Sequence, residues 1–305
     1  MIQCKEIDYK KFGRCIFATD GVAEVIATLD IGPRIISYAP AGGENIFNEN
    51  EDFDLEEKDE KYESFGDKGI WHNFGGHRLW TSPEVMPRTY FPDNEPCRYE
   101  AFGDRIRLYQ VAQPYTCIEL SMEIEFIGGG RIAVCHRVKN IGAWDIKLAP
   151  WAITVMSEGG LEVVPMRKDG PVYLPNRVIS LWTYSKMSDE RFKFTDKYFM
   201  LEQTSEPSAF KIGMSNNDGY AMYFNRGSAF IKYFDYFEDA EYPDNGCNFE
   251  TYTDGTILEI ESLAPLRTIK AGEGITHIER WKIIGNVTRP EKTEEAIDAF
   301  VKEYV

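Results

Sequence analysis

The chain has 305 residues, enough for one very large domain or two ordinary ones, and its formal net charge at pH 7 is −16. This charge argues against nucleic acid or an anionic membrane as a partner, because binding a polyanion requires a basic surface that releases counterions. No stretch approaches the ~18 apolar residues of a membrane helix, and MIQCKEIDYKKFGRC at the start has no signal-peptide core, which predicts a cytoplasmic protein.

The chain opens with two predicted strands and an acidic segment. Residues 24–30 and 34–40 are short apolar runs typical of strands. Residues 49–63, ENEDFDLEEKDEKYE, have the composition of a solvated loop and lack the regular oxygen spacing and central glycine of a calcium loop. The cysteines are scattered and include no C-x-x-C pair, which argues against a zinc site or a disulfide framework. No metal and no cofactor are therefore predicted.

Residues 71–84, WHNFGGHRLWTSPE, form a predicted loop that is the first candidate site. The segment is rich in groups that do not belong in the core of a strand: His72, His77, Arg78, Trp80 and Glu84. The pair Gly75-Gly76 allows close approach of the backbone or a positive φ. Binding residues concentrate on loops carried by a rigid scaffold, although an ordinary loop held by aromatic contacts would have the same composition.

The middle of the chain has the clearest strand pattern. Residues 118–126 alternate strictly between apolar and polar side chains, as in a half-buried antiparallel strand. Gly128–Gly130 predicts a turn, and residues 131–140 and 145–156 predict two more strands, after an earlier one at 105–112. His136 lies on the same face of its predicted strand as the apolar residues and is predicted to be a core histidine.

The last third of the chain contains the second candidate site. Asp244-Asn245-Gly246 is a strong turn signal, and Asn248, Glu250 and Tyr252 after it share one face of a strand, which either lines a polar cleft or faces solvent. A helix is predicted at about residues 291–304, with Thr293 as its cap. Further strands are predicted at 209–214, 219–224, 230–237, 247–253, 256–263 and 275–284.

Many short strands without βαβ alternation predict an antiparallel sandwich or barrel. The chain has no low-complexity linker and no internal repeat, so residues 1–305 are expected to form a single domain.

At these two constellations the chain resembles the galactose-mutarotase-like (aldose 1-epimerase-like) superfamily, and most closely its mutarotase-like branch. The resemblance extends over most of the chain from about Glu24. It is carried by VIATLDIGPRIISYAPAGGENIF, GGHRLWTSPE, HRVKNIGAWDIKLAPWAITVM, LPNRVISLW and YPDNGCNFETYTDGTILEIESLAPLRTIKAGE. It implies a mainly β protein, an antiparallel β-supersandwich with a sugar-binding cleft on one concave face, here with a short C-terminal helix.

The superfamily also implies roles for particular residues. In its enzymes a glutamate removes the anomeric hydroxyl proton while a histidine protonates the ring oxygen. Glu250 matches the glutamate, and His77 is similar to the first, substrate-binding histidine. The second histidine belongs to an Asn-His-aromatic motif, where this chain has Pro150 and Trp151. Either His77 or His72 has taken over the acid role, or the protein does not mutarotate simple aldoses.

The sequence therefore predicts a protein that binds a small-molecule carbohydrate, as an aldose 1-epimerase-like isomerase with Glu250 as base and His77 as acid. Lys232 joins the candidate contacts because it interrupts the aromatic run FIKYFDYF. The full set of candidate sugar contacts is His72, Arg78, Trp80, Glu84, Trp151, Lys232, Asn248 and Tyr252. A non-catalytic sugar-binding or sensory domain remains an alternative, as does a lyase or hydrolase of acidic glycans, against which the negative net charge argues.

Overall fold

A computed structural model describes residues 2–166 and 173–305, and antiparallel strands dominate this part of the chain. Three short 3-10 segments cover Lys10–Phe12, Glu60–Lys68 and Arg88–Tyr90. The helices are α1 (Pro243–Gly246), a single irregular turn in which Asp244 and Asn245 have positive φ, and α2 (Glu294–Tyr304). The strands are β1 (Gln3–Asp8), β2 (Arg14–Thr19), β3 (Ala23–Thr28), β4 (Ile35–Pro40), β5 (Gly76–Ser82), β6 (Arg98–Phe102), β7 (Arg105–Tyr109), β8 (Ile118–Phe126), β9 (Arg131–Asn140), β10 (Ile146–Met156), β11 (Leu161–Pro165), β12 (Ile179–Leu181), β13 (Phe192–Phe194), β14 (Tyr198–Glu202), β15 (Phe210–Met214), β16 (Tyr220–Asn225), β17 (Ser228–Phe234), β18 (Phe249–Thr253), β19 (Leu258–Leu263), β20 (Arg267–Ile269) and β21 (Gly274–Gly285).

The strands in the described ranges form two sheets that pack face to face. The first sheet has the order β1-β2-β3-β4-β5-β10-β19-β18-β15-β12, with β20 paired to β10, and the second has the order β13-β14-β11-β16-β17-β21-β9-β8-β7-β6. One core cluster fills the space between them. It joins Ile35 and Ile260 of the first sheet to Val134, Phe230 and Trp281 of the second. The alternation of each strand places one of its faces in this core.

The predicted antiparallel sandwich with a C-terminal helix is confirmed. β8 covers Ile118–Phe126, and its residues alternate between buried and half-buried, as the sequence pattern predicts. α2 begins at Glu294, after Thr293, whose side chain accepts a hydrogen bond from the Ala296 N–H. Within the described part of the chain, neither α1 nor α2 has the length and apolar character that crossing a bilayer requires.

The prediction of a loop at residues 71–84 is wrong for half of that segment. Gly76–Ser82 forms β5, an interior strand of the first sheet whose residues are all buried. Two of its polar side chains, His77 and Arg78, each find a partner on a strand far away in sequence. His77 lies within hydrogen-bonding distance of Thr154, and Arg78 forms an ion pair with Glu259. Such partners compensate the cost of burying polar groups.

Candidate functional site

One face of the first sheet carries an open cleft, and the strand register determines which side chains lie on it. Arg78 on β5 is opposite Ile153 on β10, and Ile153 is opposite Glu261 on β19. Glu261 is in turn opposite Glu250 on β18. Residues paired across neighbouring strands share a face, so these side chains form a row across four strands. The adjacent row contains Glu259, Tyr252 and Lys211.

Two adjoining cavities open on this face. Cavity A has a volume of about 620 Å³, and its lining includes Asp59, Glu84, Tyr90, Trp151, Trp182 and Glu250. Cavity B has a volume of about 340 Å³, and its lining includes Trp71, Arg78, Trp80, Lys211, Tyr252 and Glu259. Glu84, Tyr90 and Trp151 line both cavities. The Tyr90 hydroxyl donates a hydrogen bond to Glu84, so this pair stands where the two cavities meet.

Glu250 is the buried carboxyl of cavity A. Only 1% of it is exposed; its Oε2 lies 2.8 Å from Nζ of Lys211, whereas its Oε1 has no hydrogen-bond partner. Burial raises the pKa of Glu250 well above its ordinary value, although the charge of Lys211 acts in the opposite direction. A carboxyl with a raised pKa can exchange a proton nearer to neutral pH than an exposed one.

A second carboxyl shares Lys211 with Glu250. Nζ of Lys211 lies 3.0 Å from Oε2 of Glu261, and Nε1 of Trp151 donates to the same oxygen at 2.8 Å. Burial also raises the pKa of Glu261, again against the charge of Lys211. Two buried carboxyls around one ammonium group titrate as a pair, so Glu250 and Glu261 together favour retention of a proton at the floor of the cleft.

Aromatic rings hold two cations of the cleft, Lys211 and Arg78. Nζ of Lys211 lies 4.6 Å from the ring centroid of Trp151 and 4.8 Å from that of Trp182. The guanidinium of Arg78 lies 4.3 Å from the ring centroid of Trp80, and its Nη2 donates to Glu259 at 3.0 Å. These distances are those of cation–π contacts. Flat aromatic faces beside fixed polar groups are what a site needs to bind the C–H faces and the hydroxyls of a sugar.

The structure brings the larger part of the predicted site residues into this cleft: Glu250, Arg78, Trp80, Glu84, Trp151 and Tyr252 line cavity A, cavity B or both. The cleft also contains residues that the sequence reasoning missed, among them Lys211 and Glu259, and Glu261 contacts Lys211 from outside the two cavities. A signal for them existed. Lys211 interrupts the apolar strand AFKIGM, and the two glutamates alternate with apolar residues in TILEIESL. Period-two polar residues inside a strand mark a second, polar face.

His77 and Lys232 lie on the other side of the first sheet, between the two sheets. Both side chains are completely buried. Nε2 of His77 lies 2.6 Å from Nε2 of His136, and Nδ1 lies 2.8 Å from Oγ1 of Thr154. Lys232 donates to the same Oγ1 at 3.0 Å and lies 2.7 Å from Glu279. The structure therefore does not bring His77 or Lys232 together with Glu250. His77 and its neighbour Arg78 point to opposite faces of the first sheet, and Lys232 belongs to β17 of the second sheet.

His72 and Asn248 also lie outside the two cavities. His72 packs against Phe53 and Phe74, with ring centroids 6.2 and 5.6 Å apart. Asn248 is completely buried; its Oδ1 accepts from the N–H of Asn216 at 2.6 Å, and its Nδ2 donates to the carbonyl of Asn216 at 2.8 Å. With both ends of its amide bonded to the backbone, Asn248 braces the neighbouring loop.

One group of side chains in the described part of the chain has the composition of a metal site. The ligand atoms of His77, His136 and Glu279 lie within 4.8 Å of one another. The two histidines are hydrogen bonded to each other, and the ammonium of Lys232 is 2.7 Å from Glu279. The lysine already supplies the positive charge that the buried carboxylate requires, so this cluster fits a structural role between the sheets.

No family model and no curated protein matches the chain by sequence. Solved structures match it by fold. A candidate aldose 1-epimerase from Klebsiella pneumoniae subsp. pneumoniae MGH 78578 aligns with a TM-score of 0.58 and 10% identity over 93% of this chain and 83% of its own. A galactose mutarotase-like protein from Lactobacillus casei ATCC 334 gives a TM-score of 0.57 and 9% identity over 88% and 100%.

A TPR-domain containing protein from Parabacteroides distasonis ATCC 8503 aligns with a TM-score of 0.56 and 11% identity over 90% of this chain. The present chain spans about half the length of that protein, 47%. At such low identities the alignments carry information on fold alone. Together with the two antiparallel sheets and the cleft on the first of them, they identify the architecture: the chain has the galactose mutarotase-like fold.

Proposed function

We propose that the protein binds a carbohydrate in this cleft and that Glu250 transfers a proton in the interconversion of the sugar's anomers. The observation that carries the proposal is the state of Glu250. It is a buried carboxyl at cavity A with one oxygen bound by Lys211 and the other without a partner. Trp151 and Trp182 provide flat apolar faces beside it. An unpartnered buried oxygen is costly, and a sugar hydroxyl would supply the missing donor.

The reaction needs two proton-transfer groups. Ionised Glu250 would take the proton of the anomeric hydroxyl, C1 would become a carbonyl carbon, and the C1–O5 bond would break with its electron pair moving to O5. The O5 atom then takes a proton from the second group, the open chain turns about C1–C2, and the reverse steps close the ring. We assign the second group to Tyr90 with its partner Glu84, since both line cavity A together with Glu250.

A non-catalytic carbohydrate-binding protein is the second candidate, and a specific observation favours it. All four histidines of the chain, His72, His77, His136 and His277, lie outside cavities A and B. Burial and the hydrogen bond to Glu84 raise the pKa of Tyr90, which makes the hydroxyl a weak acid. A cleft whose only candidate acid is this weak would bind sugar more readily than it would open its ring.

Two measurements test the proposal in sequence. A panel of hexoses and pentoses is first screened by thermal shift, and at least one sugar is expected to raise the melting temperature, since ligand at a hundred times Kd stabilises by about 2.7 kcal/mol. Anomer exchange of the best ligand is then measured by saturation-transfer NMR for the wild type and for Glu250→Gln. The exposed Glu56→Gln serves as the control.

If Glu250 transfers the proton, Glu250→Gln is expected to lower the rate of anomer exchange by about 10²–10⁴-fold and to leave the sugar affinity nearly unchanged. A wild type that binds a sugar but leaves its exchange at the solution rate supports the non-catalytic candidate. Exchange that is fast in the wild type and unchanged in Glu250→Gln would remove Glu250 from the proposed role. A panel without any binder would refute binding of a simple hexose or pentose in this cleft.

A further inference from the structure

Cavity B is a second compartment of the same cleft. It adjoins cavity A through Glu84, Tyr90 and Trp151, and its volume of about 340 Å³ differs from the 620 Å³ of cavity A. Binding pockets for small molecules span about 300–1,000 Å³, so each cavity is large enough to hold a ligand group of its own. Glu250 lines cavity A but not cavity B. A ring bound at Glu250 would therefore leave cavity B open to a second group.

The walls of cavity B contain hydrogen-bond donors without acceptors. Arg78 is 3% exposed and is held by its contact with Trp80, by a guanidinium-to-ring distance of 5.1 Å to Trp71, and by its ion pair with Glu259. Its Nε and Nη1 have no hydrogen-bond partner, nor does Nε1 of Trp71. Buried N–H groups without acceptors are unfavourable, so this compartment suits a group that brings oxygen acceptors against an aromatic wall.

The charges around cavity B favour a neutral group over an acidic one. The positive charge of Arg78 is already balanced by Glu259 at 3.0 Å, and that of Lys211 by Glu250 and Glu261. Two further acids, Glu84 and Asp254, line the cavity. A carboxylate or phosphate entering here would meet like charges with no unbalanced cation to receive it. Hydroxyl and ether oxygens can accept from Arg78 and Trp71 without this cost.

We propose that cavity B is a second sugar subsite and that the ligand is a neutral disaccharide or the end of a longer neutral glycan. The inference rests on the proposed function, carbohydrate binding at Glu250. The first ring lies in cavity A, where Glu250 meets its reducing carbon or its hydroxyls. The second ring lies in cavity B beside Tyr184, with oxygens that accept from Arg78 and Trp71.

Calorimetric titration of neutral disaccharides against their own monosaccharides tests the proposal. The probes are maltose, cellobiose and lactose beside glucose and galactose, with digalacturonate and galacturonate as the acidic pair. At least one neutral disaccharide is expected to bind at least about ten times more tightly than either of its constituents. Monosaccharides that bind as tightly as every disaccharide would overturn the second subsite while leaving the proposed function intact.

Tighter binding of digalacturonate than of the neutral disaccharides would overturn the assignment of a neutral ligand. Absence of binding by every sugar would overturn both this inference and the proposed function.

Variants locate the gain in affinity. Tyr184 lines cavity B but not cavity A and is 43% exposed, so Tyr184→Ala should fold. It is expected to remove most of the preference for the disaccharide and to leave monosaccharide affinity within about twofold. Arg78→Lys, which keeps the charge but loses the planar set of donors, should also reduce the preference for the disaccharide. Tyr173→Ala, at a residue 96% exposed and outside both cavities, is the matched control.

A Tyr184→Ala variant that retains the full disaccharide preference, or that loses monosaccharide affinity in equal measure, would contradict a second subsite in cavity B. This readout holds even where Arg78→Lys fails to fold.

Discussion

His77 and Glu250 lie on opposite faces of the first sheet. Arg78, the next residue after His77, stands in the same cross-strand row as Glu250, so the alternation of β5 turns His77 toward the second sheet. His77 there meets His136, and the two Nε2 atoms are 2.6 Å apart. The sheet thus separates two polar systems, a buried histidine cluster that joins the sheets and the carboxyl–ammonium group around Glu250 in the cleft.

This separation predicts that His77→Asn changes stability and not sugar binding. Asparagine is too short to meet both Thr154 and His136, which the imidazole bridges at 2.8 and 2.6 Å. Leaving one buried polar group without its partner lowers the free energy of unfolding by about 1–3 kcal/mol. Urea unfolding measures this loss, and calorimetry should find the sugar affinity of the folded variant within about twofold of the wild type. A folded variant with strongly weakened binding would return His77 to the site.

The buried histidines predict a loss of stability in acid. Burial lowers the pKa of His136 to about 3 and that of His277 to about 3. The unfolded chain takes up these protons near the ordinary pKa of about 6.5, whereas the folded chain does not. Each histidine therefore contributes stability that is fully present above pH 6.5 and is lost as the pH falls toward about 3, at up to ~1.4 kcal/mol per pH unit.

The difference in unfolding free energy between the wild type and His136→Asn isolates this contribution, because all other titrating groups are common to both proteins. It should decrease as the pH is lowered from about 7.5 to about 4.5. Imidazole NMR signals of His136 should stay at their neutral positions over the same range. A difference that is constant with pH would contradict the assignment.

The burial of Glu162 predicts the opposite effect, a loss of stability as the pH rises. This carboxyl on β11 is completely buried; neither of its oxygens makes a hydrogen bond of good geometry, and the nearby Thr251 hydroxyl only partly offsets the burial. Burial raises its pKa well above the ordinary value. Below the pKa of the unfolded chain both states are protonated; as the pH rises from there through the folded pKa, only the unfolded state ionises easily, so stability is lost.

Glu162→Gln should therefore stabilise the protein at pH 8 relative to the wild type, and the gain should shrink to about zero near pH 4.5. Urea unfolding at several pH values measures it, with the exposed Glu56→Gln as a control that shows no such trend. Destabilisation by Glu162→Gln at pH 8 would mean that the ionised carboxylate has a partner in the folded protein.

Lys211 is expected to set the titration of Glu250. Its ammonium lies 2.8 Å from Glu250 and 3.0 Å from Glu261, and its charge lowers the pKa that burial has raised. Lys211→Met should therefore raise the pKa of Glu250 further, since two carboxyls then face each other without a cation. Carboxyl ¹³C NMR measures the shift directly.

If the protein is an epimerase, Lys211→Met also moves the acid limb of its pH–rate profile to higher pH, because the base form of Glu250 exists only above its pKa. Lys61→Met, at the lysine that lines cavity A, is the control.

Short-range patterns in the sequence were enough for most of the architecture. Alternation located β8 and β9, and Thr293 marked the start of α2, because each signal depends on neighbours within a few residues. The pair Gly75-Gly76 likewise indicated a backbone position at which a residue with a side chain would not fit. Gly76 has φ +62°, and a Cβ there would lie 2.5 Å from the carbonyl oxygen of Ile35.

Tertiary structure alone decided which polar residues face the cleft. Arg78 and Glu259 are 181 positions apart, and Lys211 and Glu261 are 50 apart. No local pattern distinguishes His77 from Arg78 as the residue that points inward, since a shift of one residue in register exchanges the two faces of a strand. Pairing between distant strands fixes that register. The sequence therefore determined the fold class and many of the strands, although not β5, whereas the packing of the sheets determined that the cleft contains carboxyl groups and a lysine and that the histidines lie outside it.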